Sequence, residues 1–189
     1  MRVCGLAIAL LIALPNASEA VDINQSRLST VDLAKCRQIK RHRDGGAWIC
    51  KGLPGYPVYF AEGDLRQMMG FGPAPQRRRS ATQTLGAFNS IFERNRRATI
   101  EWRVEKDARG RAVPYATIVR YHTSRDGENS DVLVITKVDA RDSCQLATID
   151  ARANADAMVM ARTWATAEAR KRACQDAPVV LGVPGKGPK

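Results

Sequence analysis

Between positions 98 and 149 the chain carries four runs of β character joined by connections too short for a crossover, and this fixes how that half can fold. Residues 98–105 alternate, with Ile100, Trp102 and Val104 on one side. Residues 115–122 are rich in β-branched and aromatic side chains, and 131–138 and 143–149 follow. The links hold Asp107-Ala108-Arg109-Gly110, Ser124-Arg125-Asp126-Gly127 and Asp139-Ala140-Arg141-Asp142, compositions that reverse a chain within a few residues. Parallel pairing needs a crossover of a dozen or more residues, so consecutive runs pair antiparallel as a meander.

A helix is predicted to follow. Asn154 has N-cap chemistry, Asp156 falls in the first turn, and Arg170, Lys171 and Arg172 fall in the last, as the helix dipole prefers. Ala153, Ala157, Met160, Ala161, Trp164 and Ala167 recur at three- and four-residue steps. This narrow stripe of small side chains suits a helix lying close on a sheet, with Trp164 as an anchor in the core. Upstream, 47–51, 56–61 and 65–71 read as further strands, with Glu62-Gly63-Asp64 as a hairpin turn. Within 72–97, Ser80 and Gln83 have capping-box spacing, and Leu85, Phe88, Ile91 and Phe92 follow at helical steps, which predicts a short helix. The end, 182–189, is glycine, proline and lysine and reads as a flexible tail. The expected fold class is α+β: an antiparallel β-meander packed by a C-terminal helix.

The N-terminus reads Met1-Arg2, then an apolar run over 5–14, then Pro15-Asn16 and the triplet Ser18-Glu19-Ala20. A charged start, an apolar stretch and small residues before a cut predict a signal peptide over 1–20, followed by a single domain over 21–181. The apolar run is about half the roughly 20 residues that a membrane span requires, so no transmembrane segment is expected after cleavage. Cys4 precedes the apolar run, whereas a lipid-modified cysteine must follow it, which excludes a lipid anchor. The expected location is periplasmic or secreted.

Four cysteines remain beyond the signal: Cys36, Cys50, Cys144 and Cys174. In an oxidising compartment they read as two disulfides. Cys144 opens a strand and Cys174 closes the helix after it. Strand and helix have comparable lengths at about 3.3 and 1.5 Å per residue, so a helix folded back on that strand brings its far end to the strand's start. Cys144 then pairs with Cys174 and Cys36 with Cys50. Zinc is disfavoured, because there is no Cys-x-x-Cys and only His42 and His122 could add imidazole. No metal or cofactor is expected.

The formal net charge is +11, from 30 Lys and Arg against 19 Asp and Glu, and much of it is clustered. One cluster is Arg37, Lys40, Arg41 and Arg43 and another is Arg170 to Arg172. Arg77, Arg78 and Arg79, with Arg94, Arg96 and Arg97, are the candidate binding residues for an anionic envelope polymer such as lipopolysaccharide, phospholipid headgroups or peptidoglycan. Nucleic acid is disfavoured, because aromatic residues are not interleaved with the arginines and no nucleic-acid fold signature is present.

Catalytic motifs are absent. There is no Gly-x-Ser-x-Gly; His122 beside Ser124 and Asp126 is a Ser/His/Asp set on paper, and His42 lies in a charged stretch where a solvated residue is expected. Glu62, Asp64, Glu93 and Glu101 supply carboxylates, but spacing does not pair them as a glycosidase requires. Gly185-Lys186 lacks the flanking strand and helix of a phosphate loop. The expected function is a non-catalytic periplasmic binding or envelope-associated module. A hydrolase centred on His122, and an inhibitor or accessory subunit of an envelope protein, are the alternatives.

Several stretches carry a resemblance: Trp48-Ile49-Cys50-Lys51-Gly52 through Tyr56, Ala61-Glu62-Gly63-Asp64-Leu65-Arg66, Gln83-Thr84-Leu85 with Phe88-Asn89, Glu101-Trp102-Arg103, Ala116-Thr117-Ile118, and Ile149-Asp150-Ala151 through Asn154-Ala155 to Ala161-Arg162 and Cys174. On these the chain resembles a family of small secreted proteins of alphaproteobacteria to which no activity is attached. The likeness spans most of 21–181 and implies an envelope location in a Gram-negative cell.

Overall fold

The computed structural model describes residues 25–92 and 97–185. The predicted signal peptide, residues 186–189 of the predicted tail, Glu93, Arg94 and Arg96 lie outside the described residues.

In chain order the elements are β1 (Ser26–Asp32), β2 (Arg37–His42), β3 (Gly45–Leu53), β4 (Tyr56–Gly63), β5 (Arg66–Phe71), β6 (Phe88–Ser90), β7 (Arg97–Lys106), β8 (Ala112–Arg125), β9 (Glu128–Val138), β10 (Ser143–Asp150), α1 (Ala157–Glu168) and β11 (Val179–Val180). The meander read from the sequence is β7 to β10, all antiparallel. It forms the centre of a large sheet ordered β1-β7-β8-β9-β10-β11, and β6 pairs with the far end of β8. Strands β2 to β5 form a second, four-stranded antiparallel sheet.

The second sheet covers one face of the large one. Val58, Phe60, Met69 and Phe71 meet Ile100, Trp102, Val119 and Val134 there. Trp102 is fully buried, stacks edge-on against Phe71 at 5.6 Å, and donates its indole N–H to Ser29 Oγ at 2.8 Å. Helix α1 covers the other face, over Ile118, Leu133, Ile135 and Ile149. The central strands are therefore apolar on both faces. Both disulfides form as expected, Cys36–Cys50 and Cys144–Cys174. Among the described residues no helix is long and apolar enough to cross a membrane.

The helix is shorter than its sequence pattern. Its buried stripe is Ala157, Ala161 and Ala165, continued by Ala169 just beyond its end, while Ala153 and Ala167 are exposed and Trp164 is half-buried. Asn154 does not cap it. Its amide donates to the carbonyls of Asp150 at 2.8 Å and Val183 at 2.9 Å, and its carbonyl oxygen accepts from the Val183 N–H at 2.8 Å. One side chain thus explains two departures: it is unavailable to α1, and it ties down the start of the expected tail.

The helix predicted within 72–97 is also absent among the described residues. Ser80 bonds the Ser143 hydroxyl at 2.5 Å, and Gln83 takes the N–H of Gln145 at 2.7 Å and receives its side-chain amide at 3.1 Å on its own carbonyl. The polar groups that would cap a helix are spent on β10. The segment instead forms short 3-10 turns at Pro75–Arg77 and Arg79–Ala81, then β6. These turns press so close to β5 that a Cβ on Gly70 would run into the Pro75 carbonyl.

The β4–β5 turn is Asp64-Leu65, because Gly63 still pairs with Arg66. Both turn residues are left-handed, with φ of 50° and 58°. Tight hairpins favour this geometry, but for a bulky leucine it is strained. The β8–β9 turn, Asp126-Gly127, has the same geometry in its expected Asp-Gly chemistry.

Beneath α1 lies a charged cluster. Arg162 donates to both Glu101 oxygens, at 2.8 Å each from Nε and Nη2, and the Glu101 side chain is only 5% exposed. Arg103, fully buried, donates to Ser26 Oγ at 2.5 Å and Thr166 Oγ1 at 3.1 Å and stands 3.8 Å from Glu101. Burial works against the Glu101 charge, but the hydrogen bonds from Arg162 and Ser26 and the two guanidinium charges outweigh it. They hold the carboxyl below the usual carboxylate range.

Candidate functional site

Among the described residues, three of the arginines singled out by sequence, Arg78, Arg79 and Arg97, have separate partners. Arg78 lies across the β9–β10 turn, donating to the carbonyls of Pro73 at 2.8 Å, Ala140 at 3.1 Å and Arg141. Arg79 donates to the Cys174 carbonyl at 2.7 Å and stands 3.6 Å from Asp142. Arg97 faces Asp32 at 3.6 Å. Arg77 is exposed. The C-terminal cluster is occupied too: Arg170 lies 4.0 Å over the Tyr115 ring and 3.5 Å from Glu105, and Arg172 donates to the Ala177 carbonyl at 3.3 Å. Charge runs that read as surface patches are here braces between loops.

The hairpin of β2 and β3 behaves differently. Over 37–53 it carries Arg37, Lys40, Arg41, Arg43 and Lys51 against one carboxylate, Asp44. Every residue of β2 is exposed, and β2 is the outer strand of its sheet. None of these five cations has a hydrogen bond or ion pair to a described residue. The six residues of β2 run for roughly 20 Å at about 3.3 Å each. Positive charge on an edge strand hinders pairing with another sheet, and it also leaves a cationic strip without internal neutralisation.

An open cavity lies elsewhere, at the joined ends of β6, β8 and β9. It has a volume of about 430 Å³, with Leu65 and Phe88 on its rim and His122, Ser124, Asn129, Asp131 and Arg152 in its wall. His122 and Asp131 are cross-strand partners in the β8–β9 register, and their side chains meet at 2.7 Å between Nδ1 and Oδ1. Sequence proximity suggested Asp126 as the carboxylate; the strand pairing supplies Asp131, which only the register could have identified. Arg120 and Arg152 stand 3.8 and 3.6 Å from the same carboxylate. Burial opposes the Asp131 charge, but the His122 hydrogen bond and the charges of His122, Arg152 and Arg120 prevail and keep it below the usual carboxylate range.

A bonded histidine and aspartate form two-thirds of a hydrolytic triad, but among the described residues no hydroxyl is hydrogen-bonded to His122. Ser90, registered opposite His122 on β6, donates its hydroxyl to the Phe92 carbonyl at 3.2 Å. The other described carboxylates considered for hydrolysis have partners of their own: Glu101 is buried under α1 and held by Arg162, Asp64 is in the hairpin turn with Arg66 at 2.8 Å, and Glu62 receives Gln67 at 3.3 Å. Among the described residues no three His, Cys, Asp or Glu side chains gather as a metal site would need. Compared with protein-family models, curated proteins and solved structures, the chain has no match.

Proposed function

We propose that this chain is a non-catalytic binding module of the periplasm or cell surface that engages an anionic envelope polymer through the β2–β3 hairpin. One observation carries the reading: Arg37, Lys40, Arg41, Arg43 and Lys51 share a hairpin with a single carboxylate and have no partner among the described residues. Uncompensated cations on an exposed strand attract a chain of phosphates or carboxylates, and that attraction fades as salt shortens the Debye length to about 8 Å and below. The two disulfides suit an oxidising compartment, as does the export segment read from the sequence.

The test uses the oxidised chain 21–189 with lipopolysaccharide micelles, anionic phospholipid vesicles and peptidoglycan sacculi, with neutral vesicles as control. The expected result is binding to at least one anionic surface that is lost at high salt and in the double variant Arg41→Glu, Arg43→Glu. Salt-resistant binding, or none, would move the reading to an accessory subunit of an envelope protein.

A further inference from the structure

We propose that the cavity beside His122 is a second binding site, for an acidic sugar: a monosaccharide unit bearing a carboxylate or a phosphate. This goes beyond the polymer reading and does not require it, since the two sites share no residue.

The unspent donors of Arg152 in the cavity wall point to an anion. Asp131 faces three cationic or potentially cationic groups, yet only His122 hydrogen-bonds to it, at 2.7 Å. Arg120 and Arg152 stand at 3.8 and 3.6 Å, too far for a hydrogen bond. Arg152 spends one N–H on the Asn129 carbonyl at 3.1 Å, and Arg120 spends none on a described residue. Arg152 lines the cavity, whereas Arg120 stands outside the lining and shares with His122 in compensating Asp131, so Arg152 keeps unspent donors. A planar carboxylate or a phosphate matches that donor geometry.

The rest of the wall suits a ring of hydroxyls. Ser124 and Asn129 have no side-chain partner among the described residues, and Ser90, whose proton is on Phe92, retains acceptor capacity. His122 has its Nδ1 on Asp131, which leaves Nε2 for a ligand hydroxyl. The apolar C–H face of a sugar would lie against Leu65 and Phe88, 71% and 46% exposed. Leu65 is held in its strained left-handed conformation at this rim, with its carbonyl fixed by the Asn89 N–H at 3.1 Å. Backbone strain at a residue with an exposed apolar side chain is a pattern found where a residue serves a ligand. The volume falls within the ~300–1,000 Å³ of small-molecule sites.

The experiment titrates the oxidised chain 21–189 with glucuronate and glucose 6-phosphate, with glucose and inorganic phosphate as controls, following the ring protons of its two histidines by NMR. An acidic sugar should saturate and move His122 while His42 stays still. Arg152→Ala should weaken binding about tenfold or more. Saturation by glucuronate alone identifies a carboxylate site, and by glucose 6-phosphate alone a phosphate site; either supports the proposal. It is overturned if neither acidic sugar saturates, or if inorganic phosphate binds as tightly, which would make the site a plain anion site. Loss of polymer binding on the β2 strip would leave this result untouched.

Discussion

Arg78 and Arg41 both belong to basic runs, yet one braces the molecule and the other faces solvent. Arg78 lies across a turn that offers two carbonyls, with a third from Pro73, and every nitrogen of its guanidinium finds one. Arg41 sits on an outer strand with nothing acidic opposite. What separates them is the reach of acceptors supplied by other parts of the chain, which no local composition records. Buried Arg103 and half-buried Arg162 extend the first kind into the interior, where they hold Glu101.

The largest effect should come from removing the brace that neutralises a buried charge. Arg162→Ala leaves Glu101 in the interior with only Arg103 nearby, a loss of about 3–5 kcal/mol and a fall in Tm of roughly 10 °C, read by thermal unfolding. An unchanged Tm would put Arg162 among the solvated arginines. The same pair sets the acid response. The Glu101 carboxyl is lowered on folding, so its stabilisation is present above the unfolded carboxylate range of about 4 and is lost as pH falls through its folded value. The Tm gap between the wild-type chain and Glu101→Gln should therefore close on acidification; a constant gap would contradict this.

Arg78→Ala is expected to cost about 2 kcal/mol, since it deletes charge-assisted hydrogen bonds, and to leave anionic-polymer binding unchanged. A smaller effect, of opposite sign, is expected at the strained turn. Leu65→Gly restores the Asp-Gly chemistry that the geometry favours and should gain up to about 1 kcal/mol, while weakening any ligand held against that rim. If Leu65→Gly destabilises the chain, Leu65 contributes packing that outweighs its backbone strain.

The sequence made the meander legible, because β7 to β10 are long, apolar and joined by links that allow one pairing. The disulfides followed from the same geometry. What escaped was decided by contacts distant in sequence. Asn154 looks like a helix cap until Val183 claims it, and Ser80 and Gln83 look like a capping box until β10 takes both. Asp126 is nearer His122 in sequence, but the cross-strand register selects Asp131. Arg37 to Arg43 were legible as a cluster; their lack of partners was not, because it depends on where every carboxylate comes to rest.

The measurement that most directly tests the account is the salt dependence of binding to lipopolysaccharide micelles for two variants of equal net charge, Arg41→Glu with Arg43→Glu and Arg77→Glu with Arg109→Glu. Binding through the β2 strip predicts that the first abolishes binding and flattens the salt dependence with stability within about 0.5 kcal/mol of wild type, while the second keeps most of the affinity. Equal losses from the two would mean that only overall charge matters, and the claim for the β2 strip would fail.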